Sequence, residues 1–207
     1  MTADRPAIRF VIFDMDGVLD RYDLSARLEK LAAATGKSAE SIHAAIWKSG
    51  FEDAADAGKF SAAEYLAGFS ERIGAPLSRA DWIAARRAAM HPDREVLLLA
   101  ERLKPRAGIA VLTNNGFLVK DCFDELFPEL PPLFGEKLHV AAEFGAKKPD
   151  PEVYRRLVAR HGVEPASAMM IDDKPENVEG AKAAGLAGHR FTGLAGLRQE
   201  FQARGLL

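Results

Sequence analysis

The 207-residue chain is 48% hydrophobic and 28% charged, with 28 Lys and Arg against 30 Asp and Glu for a formal charge of -2. That is a globular composition, long enough for one substantial domain with an insertion or for two small ones, and it excludes fibrous and disordered classes. The balanced charge gives no basic footprint for nucleic acid or an anionic membrane surface, no apolar run approaches the roughly 20 residues that span a bilayer, and the lone Cys122 excludes an internal disulfide or a cysteine-based metal site.

Residues 8–13, Ile-Arg-Phe-Val-Ile-Phe, have the length and the β-branched and aromatic content of a buried strand. Residues 20–91 then carry helix signals and no convincing strand. Leu24, Leu28 and Leu31 recur at i, i+4 and i+7, Ser61 and Glu64 form a capping box ahead of Tyr65, and Ser78 and Asp81 repeat the pattern ahead of Trp82. Residues 50–58 and the His91-Pro92 step read as loops. Trp47 and Phe51 stand one helical turn apart, a spacing that suits core packing or, with Glu52, Asp53 and His91, a pocket lining.

Apolar runs return at 109–112, 138–141, 168–171 and 188–191. Between them, Asp150-Pro151 opens a helix with Val153, Tyr154, Leu157 and Val158 on one face, and Pro175 and Gly185 bracket another. Strands alternating with helices predict an α/β fold, with a Rossmann-like parallel sheet core and a small α-helical cap domain. Residues 1–19 and 92–207 form the predicted core, and residues 20–91 the predicted cap.

Four predicted strand ends carry polar residues. Asp14-Met15-Asp16-Gly17 follows the first strand and places two carboxylates at its C-terminal end, where open α/β sheets bind ligands; a simple turn would use the same residues. Thr113-Asn114-Asn115-Gly116 offers hydroxyl, amide and backbone donors for an oxyanion, or a helix N-cap. Lys147-Lys148-Pro149-Asp150 presents a lysine able to neutralise a phosphoryl oxygen, although adjacent lysines are also common on solvated loops. Asp172-Asp173 pairs two carboxylates that repel unless a proton or cation relieves them, and an oxygen-loving ion such as Mg²⁺ fits; one of the two could instead cap the Pro175 helix.

Together these segments resemble the four motifs of the haloacid dehalogenase superfamily, most closely its phosphatase branch with a helical cap inserted after the first strand. Phe13-Asp14-Met15-Asp16-Gly17-Val18-Leu19 is similar to the first motif and Leu112-Thr113-Asn114-Asn115 to the second. Lys148-Pro149-Asp150-Pro151 is similar to the third, and Ile171-Asp172-Asp173 with Asn177 and Gly185 to the fourth. The resemblance implies that Asp14 is a nucleophile forming an aspartyl-phosphate. It implies that Asp16 is the general acid and base, and that Thr113, Asn114 and Lys148 hold the phosphate. It further implies Mg²⁺ held by Asp14, Asp173, the Asp16 backbone carbonyl and Asp172, the last as a direct or outer ligand.

The function so implied is Mg²⁺-dependent hydrolysis of a small phosphate ester, a sugar phosphate being the family-level lean, in a cytoplasmic monomer or homodimer. Related dehalogenases need no carboxylate two residues after the nucleophile, so Asp16 favours phosphate chemistry over a 2-haloacid dehalogenase. A phosphomutase would use the same constellation. The non-enzyme alternatives are a phospho-receiver-like switch, whose acidic pair lies near the N-terminus, and a catalytically inactive binding protein. His43, His139, His161 and His189 show no metal-ligand spacing, and Cys122 reads as a packing residue.

Overall fold

The computed structural model describes residues 7–207, so residues 1–6 of the predicted core lie outside it. The strands, in chain order, are β1 (Phe10–Phe13), β2 (Asp20–Tyr22), β3 (Met90–Pro92), β4 (Gly108–Thr113), β5 (Leu138–Val140), β6 (Ala168–Asp172) and β7 (Ala187–Arg190). The chain divides into two compact units. One comprises the described residues through Leu19 with Asp93–Thr113 and Lys148–Leu207; the other comprises Asp20–Pro92 and Asn114–Lys147.

In the first unit, four strands of the parallel sheet run in the order β4-β1-β6-β7. Val11, Ile12, Phe13, Val111, Met170 and Ile171 are fully buried, as expected of strands covered on both faces. Each such side chain contributes about 1.5–3 kcal/mol relative to exposure. Helices Arg94–Leu103, Pro151–Arg160, Pro175–Ala183 and Leu194–Ala203 accompany the strands. Asp93 starts the first by accepting the Glu95 and Val96 N–H groups, and Asp150 starts the second by accepting from Glu152 with Pro151 at the first helical position. Strand register brings the acidic residues together. Phe13 pairs with both Val111 and Ile171, so Asp14 and Asp172 leave the sheet at one level of its C-terminal edge, and the Asp14 N–H donates to the Ile171 carbonyl at 2.9 Å.

The second unit is mainly helical, built on Leu24–Thr35, Ala62–Ile73 and Arg79–Ala89. Asp23 caps the first, Ser61 and Glu64 complete a capping box on the second, and Ser78 caps the third. Two expectations for residues 20–91 are corrected. β2 and β3 pair as an antiparallel ribbon, Arg21 opposite His91, in a segment whose sequence shows no strand signal. These strands are three residues long, too short for alternation to register, and their pairing partners are about seventy residues apart. Residues 50–58 are also not all loop, because Phe51–Asp56 is helical. The preceding helix does not run on: a π-helical turn at Ala44–Lys48 and Gly50, with φ +77°, end it. Trp47 and Phe51 therefore belong to different helices, each packing its ring on aromatic neighbours, Trp47 edge-on to Phe69 and Phe51 stacked on Tyr65. No helix among the described residues is long and apolar enough to cross a membrane.

Candidate active site

Asp14 follows β1 directly, is buried, and has both of its close contacts on one oxygen: Oδ1 accepts the Met15 N–H at 2.7 Å and lies 2.8 Å from Lys148 Nζ. Two residues later Asp16 is half-buried, and Gly17 turns the chain at φ +93°. A Cβ on Gly17 would lie 2.8 Å from Asp173 Oδ2. The glycine thus serves both the turn and the close approach of a carboxylate from the next strand end.

Lys148 carries no exposed side-chain surface and bridges two strand ends, with Nζ 2.8 Å from Asp14 Oδ1 and 2.6 Å from Asp172 Oδ2. Burial works against its charge, but Asp14 and Asp172 outweigh that penalty and hold the ammonium above its ordinary range. Lys147 goes elsewhere, pairing with Asp53 in the helical unit.

Asp172 is saturated with donors. Its Oδ2 also accepts from Asn177 at 3.1 Å, and its Oδ1 accepts from Asn177 at 2.9 Å and from the Lys174 N–H at 3.0 Å. Asp173 is the opposite case, with its Oδ1 buried and without a hydrogen-bond partner. Burial, then the neighbouring Asp172, raises the Asp173 carboxyl above its usual range. Burial also pushes Asp14 up to about 8 in spite of Lys148.

Carboxylate oxygens of Asp14, Asp172 and Asp173 lie within 4.8 Å of one another, the one such grouping of metal-ligating side chains among the described residues. Three acidic groups around one lysine, two of them driven toward protonation and one with an orphaned buried oxygen, are suited to a hard divalent cation. The Asp16 carboxylate is outside that grouping.

Thr113, buried at the end of β4, closes the same sheet edge. Asn114 is half-buried and begins the second unit. Gly116, rather than Thr113 or Asn114, occupies the N-cap of the short helix Phe117–Lys120, so neither side chain is taken up in that cap. Nor does Asp172 or Asp173 cap the Pro175–Ala183 helix, whose N-cap is Lys174.

Two supporting residues carry no sequence signal that ties them to the site. Tyr154 donates its hydroxyl to the Asn177 carbonyl at 2.7 Å, and a Cβ on Gly180 would lie 2.0 Å from the Pro149 carbonyl oxygen. Tyr154 is legible only as one apolar position of an amphipathic helix, and Gly180 as one small residue among several.

A family profile described as haloacid dehalogenase-like hydrolase matches residues 8–185, which contain every one of these positions. The chain belongs to that family. This hydrolase is 32% identical over 190 residues to phosphatase MT3486 of Mycobacterium tuberculosis, covering 87% of this chain and 85% of that one. It is 32% identical over 175 residues to a phosphoserine phosphatase of Thermus thermophilus, covering 75% of this chain and 64% of the relative. In fold it is similar to a HAD family enzyme of Bacteroides thetaiotaomicron solved with magnesium and inorganic phosphate, at TM-score 0.72 and 21% identity over 88% of this chain and 93% of that one. The predicted fold class and enzyme class are those found.

Proposed function

We propose that this hydrolase is a Mg²⁺-dependent phosphomonoesterase acting on a small phosphorylated metabolite through an aspartyl-phosphate at Asp14. The observation that carries this reading is the Asp14–Lys148–Asp172 bridge beside the orphaned Asp173 oxygen. The phosphatase names of the two sequence relatives support it, as does the magnesium and phosphate bound by the structural neighbour.

In this reading the Asp14 carboxylate attacks phosphorus in line with the ester oxygen. Two anions meeting in this way repel one another, and the repulsion is the main part of the barrier that the site must remove. Lys148 draws negative charge off the transferring group, while the Thr113 hydroxyl and Asn114 amide donate to its oxygens. Mg²⁺, when bound, supplies Lewis-acid neutralisation of the phosphoryl charge. Asp14 and Asp173 would hold it with the Asp16 carbonyl, whereas Asp172, occupied by Lys148, Asn177 and Lys174, serves to position Lys148.

Asp16 gives its proton to the leaving oxygen, and the same carboxylate then takes a proton from the water that cleaves the acyl phosphate. The domain reading attached to this function keeps residues 20–91 as the cap and the remainder as the core. It places the enzyme in the cytoplasm.

The test is phosphate release from a panel of small phosphomonoesters with Mg²⁺ and with EDTA. Release that needs the metal and is lost in Asp14→Asn is the expected result. Halide release from 2-haloacids without metal would replace this reading with dehalogenation.

A further inference from the structure

The helix Arg94–Leu103 of the sheet unit has an outer face that the proposed chemistry does not use. Leu98 stands at its centre, 58% exposed and the only large hydrophobic residue so exposed among the described residues. A lone surface leucine needs no explanation, but this one has an ordered surround. Residues 94–102 read Arg-Glu-Val-Leu-Leu-Leu-Ala-Glu-Arg, so that arginine and glutamate are mirrored about Leu98. Val96, Leu97, Leu99 and Ala100 are buried, which leaves Arg94, Glu95, Glu101 and Arg102 exposed around the leucine. No ion pair among the described residues engages any of these four.

Helix geometry sorts the charges. Glu95 and Arg102 fall on one flank of Leu98, about 60° and 40° around the axis from it, and Arg94 and Glu101 fall on the other by the same angles. Along the axis each arginine stands about 6 Å and each glutamate about 4.5 Å from Leu98. A shallow groove of about 140 Å³ opens beside the first flank, walled by Glu95, Leu98, Leu99, Arg102 and Arg198. That volume falls short of the roughly 300 Å³ at which small-molecule sites begin, and is on the scale of one large apolar side chain.

We propose that this face is a homodimer interface, in which Leu98 of each copy packs against its counterpart on a two-fold axis. Charge selects a second copy as the occupant. An axis across the helix keeps each flank on its own side and reverses its direction, so Glu95 meets Arg102 of the second copy and Arg94 meets its Glu101, about 1.5 Å apart in height. An axis along the helix exchanges the flanks instead, and Glu95 then meets Arg94 while Glu101 meets Arg102. Under either operation Glu–Arg pairs flank the leucine contact on both sides and no glutamate faces a glutamate. The four helix charges sum to zero, which offers neither a nucleic acid nor an anionic membrane an attraction. The face is small and its ion pairs are peripheral, so the dimer is weak and reversible. This inference is independent of the phosphatase reading.

The test is sedimentation equilibrium of the full chain at low and high salt, with two double variants. Glu95→Arg with Glu101→Arg makes the face wholly cationic, and Arg94→Glu with Arg102→Glu makes it wholly anionic. All four side chains are exposed, and each variant makes one change that favours the helix dipole and one that opposes it, so both should melt like wild type. Wild type is expected to dimerise reversibly, more weakly as salt rises. Each double variant alone should dimerise at least about 10-fold more weakly, and an equimolar mixture of the two should recover association. Leu98→Ser, a single exposed change, should also weaken the dimer. Wild type that stays monomeric up to about 1 mM overturns the proposal. So does a dimer that the variants leave unchanged, which would lie on another surface, and so does failure of the two folded double variants to associate when mixed.

Discussion

Lys148 Nζ lies 2.8 Å from Asp14 Oδ1, with no part of the lysine side chain exposed to solvent. A buried ammonium is costly unless paired, and here it is held by a carboxylate from each of two neighbouring strand ends. Removing it leaves Asp14 and Asp172 facing each other without a counter-charge. Lys148→Met should therefore cost about 3–5 kcal/mol of stability and at least about 100-fold in turnover. Lys148→Arg should fail to restore activity, because a planar fork cannot replace a point charge between two fixed oxygens. Urea denaturation and steady-state kinetics check this, and a fully active arginine variant would show that the charge alone suffices.

The two aspartates at the end of β6 should separate by phenotype. Asp173→Asn removes a carboxylate whose Oδ1 has no partner, so the Mg²⁺ concentration for half-maximal activity should rise steeply while thermal stability stays the same or increases. Asp172→Asn disrupts hydrogen bonds from Lys148, Asn177 and the Lys174 N–H, so it should lower stability by about 2–3 kcal/mol and displace Lys148. A metal titration with thermal melts reads both. Identical behaviour of the two variants would refute the division of labour.

Gly180→Ala tests how the lysine loop is held. The added Cβ would stand 2.0 Å from the Pro149 carbonyl oxygen, a backbone atom with little freedom to retreat. The expected cost is about 1–3 kcal/mol in stability, with a fall in kcat larger than any change in KM. An unaltered kcat would detach this packing contact from the site.

Stability against acid has one definable contribution away from the site. Burial alone would raise the Glu143 carboxyl, but the His139 ring, the Val140 N–H and Lys120 outweigh it and hold it at about 2, against 4.5 ordinarily. A carboxyl lowered by folding stabilises the folded state above its unfolded pKa, and that contribution is lost as pH falls from about 4.5 to about 2. The amount is on the order of 2–3 kcal/mol. Glu143→Gln should lower stability at neutral pH and flatten the acid limb over that interval. A variant whose pH profile parallels wild type would place the sensitivity on other groups.

How far the sequence can be read depends on the range of each signal. The strands of the parallel sheet are legible because burial on both faces writes a continuous apolar run, and their observed ends lie within about two residues of expectation. Asp14, Asp16, Thr113, Lys148, Asp172 and Asp173 are legible because each follows such a run or belongs to a proline-marked loop. The β2–β3 ribbon and the π-helical turn are not, since one depends on a pairing across the whole insertion and the other on local crowding. Glu52 is visible as a pocket candidate, but its expected companions are placed elsewhere: Asp53 pairs with Lys147, and His91 lies exposed on β3. The choice of Lys148 over Lys147 comes from family resemblance; Lys148 lies between Asp14 and Asp172, whereas Lys147 pairs with Asp53.

The most direct test of the central claim is the stereochemical course of hydrolysis, using a phosphorothioate monoester made chiral at phosphorus with one heavy oxygen isotope and hydrolysed in water carrying another. Attack by Asp14 followed by attack of water is two in-line displacements, so the released thiophosphate should retain configuration, and Asp14→Asn should release none. Inversion at phosphorus, or undiminished release by Asp14→Asn, would mean that water attacks the ester directly and that Asp14 is not the nucleophile.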